Sequence, residues 1–412
     1  MKLSRDGRLL VTSRGIRGVV DGTISVALSA YLSLLGYSGL RIGTVVTGMM
    51  LGSAVLTILT GALGHRFARR TILRAAGMTM VATGLVFATS TTFVVLFIAG
   101  VLGTINPTSG DVSMFLPMEQ SLLPATGTDS QRTHLFARYA FVGSMGGALG
   151  SLVAGVPEWL ARHTSLSEEN ALQAVFLVYA LAGVAILVVY RMLSPAIEPP
   201  ADARPTKLGP SKRTVYRLAA VFSLDAFGGG FSVQSLVALW LFRRFDMSVG
   251  AAGALLFWMG TCVAVSAFAA PRLAARIGLI RTMAFTHIPA QVFLILAAVM
   301  PNLPLAIVFL ILRSLLSTMD APARSSYVMA VVSPPERAAA ASVTNVPRSL
   351  AAALPPIAAG WMLDHSDFGW PLIIAGALKI VYDLILLALF RNVRPPEEEA
   401  RLASAPISST DR

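Results

Sequence analysis

The chain has little charge and almost no cysteine. Only 13% of its 412 residues are Asp, Glu, Lys or Arg, whereas about a quarter of the residues in typical soluble domains are charged. This composition excludes an ordinary soluble protein. Cys262 is the single cysteine, so an intramolecular disulfide and a cluster of thiolate metal ligands are excluded as well.

Signatures of enzymes are also missing. The sequence has no glycine-rich loop ending in Lys-Ser/Thr that would hold the phosphates of ATP. Its five histidines are scattered and lack the His-Glu-x-x-His spacing of a zinc hydrolase. We therefore predict that the protein is not an enzyme and has no metal site and no cofactor.

Long apolar runs, by contrast, are abundant. Hydrophobic residues make up 55% of the chain, in runs of roughly 20 residues that as helices would cross the ~30 Å hydrocarbon core of a bilayer. The runs do not alternate polar and apolar residues as barrel strands do, so we predict an all-α membrane protein. The twelve predicted spans lie near residues 15–36, 42–63, 71–90, 93–116, 134–156, 171–193, 214–240, 249–270, 282–300, 303–328, 338–362 and 370–390.

The arginines are concentrated in every second loop. The net charge of +12 therefore follows the positive-inside rule and does not indicate a nucleic-acid partner. We expect a multi-pass protein of the plasma (inner) membrane with both termini cytoplasmic. The predicted units are an N-terminal six-helix bundle (1–193), a cytoplasmic linker (194–213), a C-terminal six-helix bundle (214–392) and a cytoplasmic tail (393–412).

The two halves of the sequence match each other. Residues 132–155 align without a gap over residues 337–360, and Asp21 of the first span falls over Asp225 of the seventh. An arginine-rich loop follows the second span of each half, at 61–70 and at 271–281. We therefore predict two pseudo-symmetric bundles with a cavity between them, as in many transporters.

The first arginine-rich loop carries a family resemblance. Gly61, Arg66, Arg69 and Arg70 match the loop between the second and third spans of the major facilitator superfamily, and the chain resembles the drug and metabolite efflux permeases of that superfamily. The resemblance implies two six-helix bundles that rock about a central site, with this loop gating the cytoplasmic side. His65 stands where the family has aspartate, so we expect a weaker or pH-sensitive latch.

Charged side chains inside apolar spans are expensive unless paired or hydrated, so each is a candidate for the substrate or proton pathway. Asp225 lies midway along the seventh span, and the three glycines at 228–230 predict a break in that helix. Arg313 has no acid within four residues on its own span. We expect it to pair with Asp225 across the cavity or to bind an anionic substrate.

Other polar residues within the spans are weaker candidates for the same pathway. Asp320 and Arg324 are four residues apart and share a helix face, which also allows simple mutual neutralisation. Lys379 and Asp383 have the same spacing and are expected to form an ion pair without a transport role, and Glu119 is expected to lie outside the membrane. The remaining candidates are Asp21, Asn106, Asp111 and Arg348.

These features predict a secondary active transporter that works by alternating access. We favour proton-coupled efflux of a small amphipathic or drug-like solute. One alternative is a carrier in which Arg313 and Arg348 bind the carboxylate or phosphate of an organic anion, and another is a non-transporting receptor or scaffold with the same fold. The expected partners are a small-molecule substrate, protons and the lipid bilayer, and the protein is expected to be a monomer.

Overall fold

The computed structural model describes residues 4–63, 67–108, 114–126, 129–198, 208–332 and 336–390. Within these ranges the chain forms α-helices joined by short turns and loops. The N-terminal bundle contains α1 (Arg5–Leu34), α2 (Gly39–Leu63), α3 (Arg69–Thr89), α4 (Phe93–Leu102), α5 (Phe115–Leu122), α6 (Asp129–Val153), α7 (Val156–His163) and α8 (Glu168–Arg191). The C-terminal bundle contains α9 (Lys212–Gly230), α10 (Gln234–Phe245), α11 (Val249–Ile277), α12 (Leu279–Val299), α13 (Leu303–Leu316), α14 (Asp320–Ala330), α15 (Arg337–Ala353), α16 (Pro355–His365) and α17 (Trp370–Phe390).

The all-helical membrane architecture is confirmed. In the described part of the chain, eight helical segments are long and apolar enough to cross a membrane. The other predicted spans correspond to α1, which carries several charged residues, and to the helix pairs α4–α5, α13–α14 and α15–α16. These pairs are spans interrupted in the middle, and such interruptions are tolerated only where the freed backbone groups face protein or water.

The two bundles pack in the same way. In the N-terminal bundle α1 packs on α6 and α3 packs on α8, and the equivalent pairs in the C-terminal bundle are α9 with α15 and α12 with α17. The glycine-rich α6 fits tightly against α1, because a side chain added at Gly22 or Gly150 would collide with the backbone of the partner helix. The glycines of this span therefore serve close helix packing.

The predicted break in the seventh span is confirmed. Helix α9 ends at the third consecutive glycine, and α10 begins at Gln234 after a short turn. A Cβ atom on Gly228 would lie 3.1 Å from the Lys379 side chain. The glycines thus end the helix and leave room for a lysine from α17 beside it.

Contacts between the bundles define two ends of the molecule. We call the end at which α8 stops and α9 starts the linker end, and the end at which α2 and α11 start the far end. Hydrogen bonds join the bundles at the far end, where Asp364 meets α2 and Glu158 meets α11. Another joins α1 to α10, from Ser29 Oγ to the carbonyl of Ser235 (2.6 Å). The structure is therefore closed at the far end.

Candidate functional site

A cavity of about 440 Å³ lies between the bundles, which is within the usual size range of sites for small molecules. Helix α6 lines it from the N-terminal side, and α9, α11, α13, α15 and α17 line it from the C-terminal side. Its charged lining residues are Asp225, Arg313, Arg348 and Lys379. Its polar lining includes Ser144, Ser151, Gln234, Ser314, Ser317 and Ser349.

Asp225 is the acid of the cavity wall, and its partners differ from the predicted one. Lys379 Nζ lies 2.6 Å from Asp225 Oδ1, and Arg324 Nη1 lies 3.2 Å from Asp225 Oδ2. The prediction that Arg313 would be the partner of Asp225 is wrong. It failed because α14 and α17 already supply two cations to this carboxylate.

The same cluster corrects a second predicted pair. Lys379 and Asp383 are four residues apart on α17, yet Lys379 is bonded to Asp225 and Asp383 to His287. Each side chain bonds to a residue of a neighbouring helix instead of to the residue four positions away on α17. Arg324 does bond Asp320, at 3.2 Å, as their spacing indicates, and in addition connects that acid to Asp225.

Two arginines of the cavity lining have no acidic partner. The side chain of Arg313, on α13, has no hydrogen bond or ion pair to any residue that the structure describes, and its Nε atom is buried without a partner there. Arg348, on α15, has only a long contact of 3.4 Å to Asn345 Oδ1, and its Nε atom is without a partner within the described ranges. Within the described ranges, therefore, the cavity has two guanidinium groups without a carboxylate partner.

The polar residues of the interrupted fourth span lie at the boundary between the bundles. Asn106 is buried, and its Oδ1 accepts hydrogen bonds from the amide (2.9 Å) and hydroxyl (2.6 Å) of Thr108, a cavity-lining residue. The carbonyl of Pro107 accepts the amide of Ser235 across the bundle boundary at 3.3 Å. Asp111 lies outside the described residues.

The N-terminal bundle holds a buried carboxylate. Glu119, on α5, is fully buried among the helices of that bundle. It forms an ion pair with Arg17 and accepts hydrogen bonds from Ser13, Tyr139 and Tyr190.

Asp21, on α1, is also buried, at 4% exposure. It lies one helical turn from Arg17 and is not among the described residues that line the cavity. Sequence reasoning did not single out Arg17 as a buried residue. The sequence did offer an indication of this burial, because α1 begins at Arg5 and Arg17 lies more than three turns inside that helix.

The first arginine-rich loop is described only in part. His65 and Arg66 lie outside the described residues, Gly61 belongs to the last turn of α2, and Arg69 and Arg70 open α3. Glu198, from the segment after α8, accepts the backbone amides of Arg69 (3.0 Å) and Arg70 (2.9 Å) and also bonds Arg70 Nε (3.3 Å). A glutamate distant in sequence therefore caps the helix that follows the loop.

Acids close the far end in two equivalent places. Asp364, at the end of α16, accepts the amides of Gly39 (2.5 Å) and Leu40 (2.7 Å) at the start of α2. Glu158, on α7, accepts the amide of Gly250 (2.8 Å) at the start of α11. Each carboxylate thus caps the first turn of a helix in the opposite bundle.

Glycines permit these contacts. A side chain on Gly360 would collide with the backbone of Gly39, and a Cβ atom on Gly155 would lie 2.7 Å from the Cα of Gly250. Gly155 and Gly360 are also matched in the internal sequence alignment. The closure of the far end is therefore pseudo-symmetric, as the internal repeat predicts.

Two similar bundles, closed against each other at one end around a charged cavity, define a multi-pass membrane transporter. A family model confirms and narrows this assignment. The model of the Major Facilitator Superfamily matches residues 10–237 and 218–409, so the chain belongs to the major facilitator superfamily.

Relatives and solved structures agree with this assignment. The Saccharomyces cerevisiae protein described as the uncharacterized membrane protein YJR124C is 27% identical over 427 residues, which cover 95% of each chain. The crystal structure of the nucleoside transporter NupG matches with a TM-score of 0.72 at 16% identity, over 94% of this chain and 99% of that one. The human organic anion transporter MFSD10 matches with a TM-score of 0.65 at 18% identity, over 92% and 99%. At these identities the two structures establish a shared fold.

Proposed function

We propose that this protein is a secondary carrier that moves a small hydrophilic organic anion across a membrane by alternating access. The free arginines of the cavity carry this proposal. Asp225 is already bonded to Lys379 and Arg324, whereas Arg313 and Arg348 have no carboxylate partner among the described residues.

Physical chemistry favours an anion at these arginines. An unpaired charge away from water costs on the order of several kcal/mol. A carboxylate or phosphate in the cavity would remove that cost through charge-assisted and bidentate hydrogen bonds, which match the planar guanidinium group. A neutral or cationic solute would leave the arginines unpaired.

The remaining lining supports a hydrophilic ligand. Serine hydroxyls and the Gln234 amide face the cavity, and none of the described lining residues is Phe, Tyr or Trp. Sites for drug-like solutes are usually rich in aromatic and other apolar side chains. The drug-like substrate favoured by the sequence therefore receives less support than the organic anion.

We also propose that the linker end faces the cytoplasm. The arginines gather at that end along the sequence, as the positive-inside rule requires. The hydrogen bonds at the far end would then close the extracellular side and leave the cavity to communicate with the cytoplasm. Residence in the plasma membrane and the direction of net transport remain predictions of the sequence.

The proposal is tested by counterflow in liposomes. Purified protein is reconstituted into vesicles loaded with unlabelled gluconate or glucose 6-phosphate, and uptake of the same radiolabelled compound is followed without any ion gradient. We expect transient accumulation of at least one anion and none of glucose, their neutral analogue. Protein-free vesicles provide the background.

Two results would contradict the proposal. Counterflow of glucose equal to that of both anions would remove the requirement for negative charge. Absence of counterflow for every carboxylate and phosphate in a broader panel, by protein that elutes as a single species, would favour a receptor or scaffold.

A further inference from the structure

A buried histidine joins two carboxylates beside the cavity. His287, on α12, is 3% exposed. Its Nδ1 lies 2.9 Å from Asp383 Oδ2 on α17, and its Nε2 lies 3.9 Å from Asp225 Oδ1 on α9. Both ring nitrogens therefore face acids. The protonated ring donates from both nitrogens, whereas the neutral ring would turn one lone pair toward a carboxylate.

The side chains bonded to one another in this cluster contain one more acid than permanent cations. Its acids are Asp225, Asp320 and Asp383, and its permanent cations are Lys379 and Arg324. With a neutral histidine the cluster has a net charge of −1, and with one bound proton it is neutral. Neutrality is strongly favoured in a buried site. Asp383 Oδ1 is also buried without a partner in the described part of the chain.

Among the described residues, no charged side chain other than Lys379, Arg324 and His287 is bonded to these carboxylates. Helix α12 packs on α11, α13, α14 and α17. The ring of Tyr382 meets the imidazole edge-on at 6.0 Å. The charged groups on these helices, on α9 and on α15 that face the cluster or the adjoining cavity are Asp225, Arg313, Asp320, Arg324, Arg348, Lys379 and Asp383.

The cluster is connected to the cavity through a single ion pair. Asp225 and Lys379 both line the cavity and are bonded to each other at 2.6 Å, while His287 lies behind Asp225. An organic anion that draws Lys379 toward itself would weaken that bond and leave the acids with less positive charge. The affinity of the cluster for a proton would then rise, and by linkage a bound proton would raise the affinity for the anion.

We propose that His287 and Asp383 together bind the coupling proton of this carrier, and that proton and anion bind cooperatively through Asp225 and Lys379. This inference rests on the proposed function. The proton enters from the water on the side that the cavity faces and leaves with the anion on the other side. The result is co-transport, in contrast to the proton exchange that the sequence favoured. For a monoanion the cycle moves no net charge.

Uptake driven by a proton gradient tests the inference. Vesicles containing the wild-type protein take up radiolabelled gluconate from an external medium one pH unit more acidic than the lumen. We expect about tenfold accumulation, the limit for one proton per monoanion. His287→Gln and Asp383→Asn are expected to lose this accumulation and to keep counterflow, which needs no net proton movement. His365→Gln, a matched change at the far end, is expected to behave as wild type.

A second measurement does not depend on a transport cycle. Gluconate is added to purified protein in weakly buffered detergent solution containing a pH indicator. We expect proton uptake by the wild type and by His365→Gln, and none by the two cluster variants. If His287→Gln or Asp383→Asn fails to elute as a folded monodisperse species, proton uptake is measured on His287→Asn or Asp383→Glu instead.

The outcomes separate the inference from the function on which it rests. Wild-type counterflow that is unaffected by pH gradients would overturn the inference and leave the anion carrier intact. Gradient-driven accumulation that survives in both folded cluster variants would overturn the proton site alone. If folded variants lost counterflow as well as gradient-driven accumulation, His287 and Asp383 would belong to the anion site. That result would also overturn the inference. Absence of anion counterflow in the wild type would refute both proposals.

Discussion

The carboxylate of Asp364 accepts the backbone amide of Gly39 at 2.5 Å, so that an acid of the C-terminal bundle caps the second helix of the N-terminal bundle. Arg243 Nη1 bonds the same carboxylate at 2.9 Å and holds it in place. Because the cap and the helix belong to different bundles, this contact exists only while the far end is closed.

Asp364→Ala should therefore loosen the start of α2. A lost helix cap costs about 1 kcal/mol, which corresponds to roughly fivefold faster opening of the capped amides. Hydrogen–deuterium exchange measured by mass spectrometry over residues 39–42 would detect this change. Asp367→Ala, an exposed acid three residues away, serves as the control, and equal exchange rates in the two variants would contradict the assigned role.

The same contact should weaken in acid. Burial raises the pKa of Asp364, but hydrogen bonds from Leu40, Arg243 and Gly39 outweigh this effect and hold the pKa below its ordinary value. A carboxyl group with a lowered pKa stabilises the closed state above its ordinary range and loses that contribution as the pH falls through it. After correction for the intrinsic rate of amide exchange at each pH, the protection of residues 39–42 should fall below about pH 4 in the wild type, with a smaller change in Asp364→Ala.

The free arginines predict a graded loss of anion binding. Replacing Arg313 or Arg348 by Gln removes one charged donor group, at a cost of about 1.5–3 kcal/mol, or roughly a ten- to hundredfold weaker affinity. Arg313→Lys should bind more weakly than the wild type, because a lysine cannot make a bidentate contact. Thermal-shift titration with gluconate or glucose 6-phosphate measures the affinity.

A matched control distinguishes these arginines from general charge effects. Arg138, on α6, is exposed and lies outside the described cavity lining. Arg138→Gln should bind the anion with wild-type affinity. If it weakens binding as much as Arg313→Gln does, the attraction comes from the overall charge and not from the cavity.

The buried ion pair between Glu119 and Arg17 predicts that losing one partner destabilises the protein more than losing both. Glu119→Gln leaves a buried guanidinium without its counter-ion and should destabilise the protein by about 3–5 kcal/mol. Replacing both residues by Met removes both charges and should recover most of that loss. Thermal unfolding of the two variants in detergent provides the comparison. A double variant that is no more stable than Glu119→Gln would argue against a simple buried ion pair.

The elements predicted well from the sequence were those set by spacing along one helix. Apolar length marks a span, and the three glycines at 228–230 mark its break, since neither property depends on neighbouring helices. The alignment of Gly155 with Gly360 likewise anticipated the equivalent contacts at the far end.

The partners in the ion pairs could not be predicted from spacing along one helix. A sequence indicates the depth of Asp225, Arg313 and Lys379 in the membrane, but the direction in which each side chain points depends on how the helices rotate and pack. Lys379 was therefore assigned to Asp383 by spacing, although it reaches Asp225 on another helix. Glu119 shows the same limit, since its partner Arg17 lies on a helix more than 100 residues away in the sequence.

The glycine contacts at the far end have a consequence for the energy of the transport cycle. Where Gly360 meets Gly39 and Gly155 meets Gly250, backbone approaches backbone directly, with no side chain between the helices at those points. Helix α16 packs along α2 around the first of these junctions, and the two carboxylates add directional hydrogen bonds. Opening the far end must break the bonds and separate the packing together, so we expect it to open in one cooperative step.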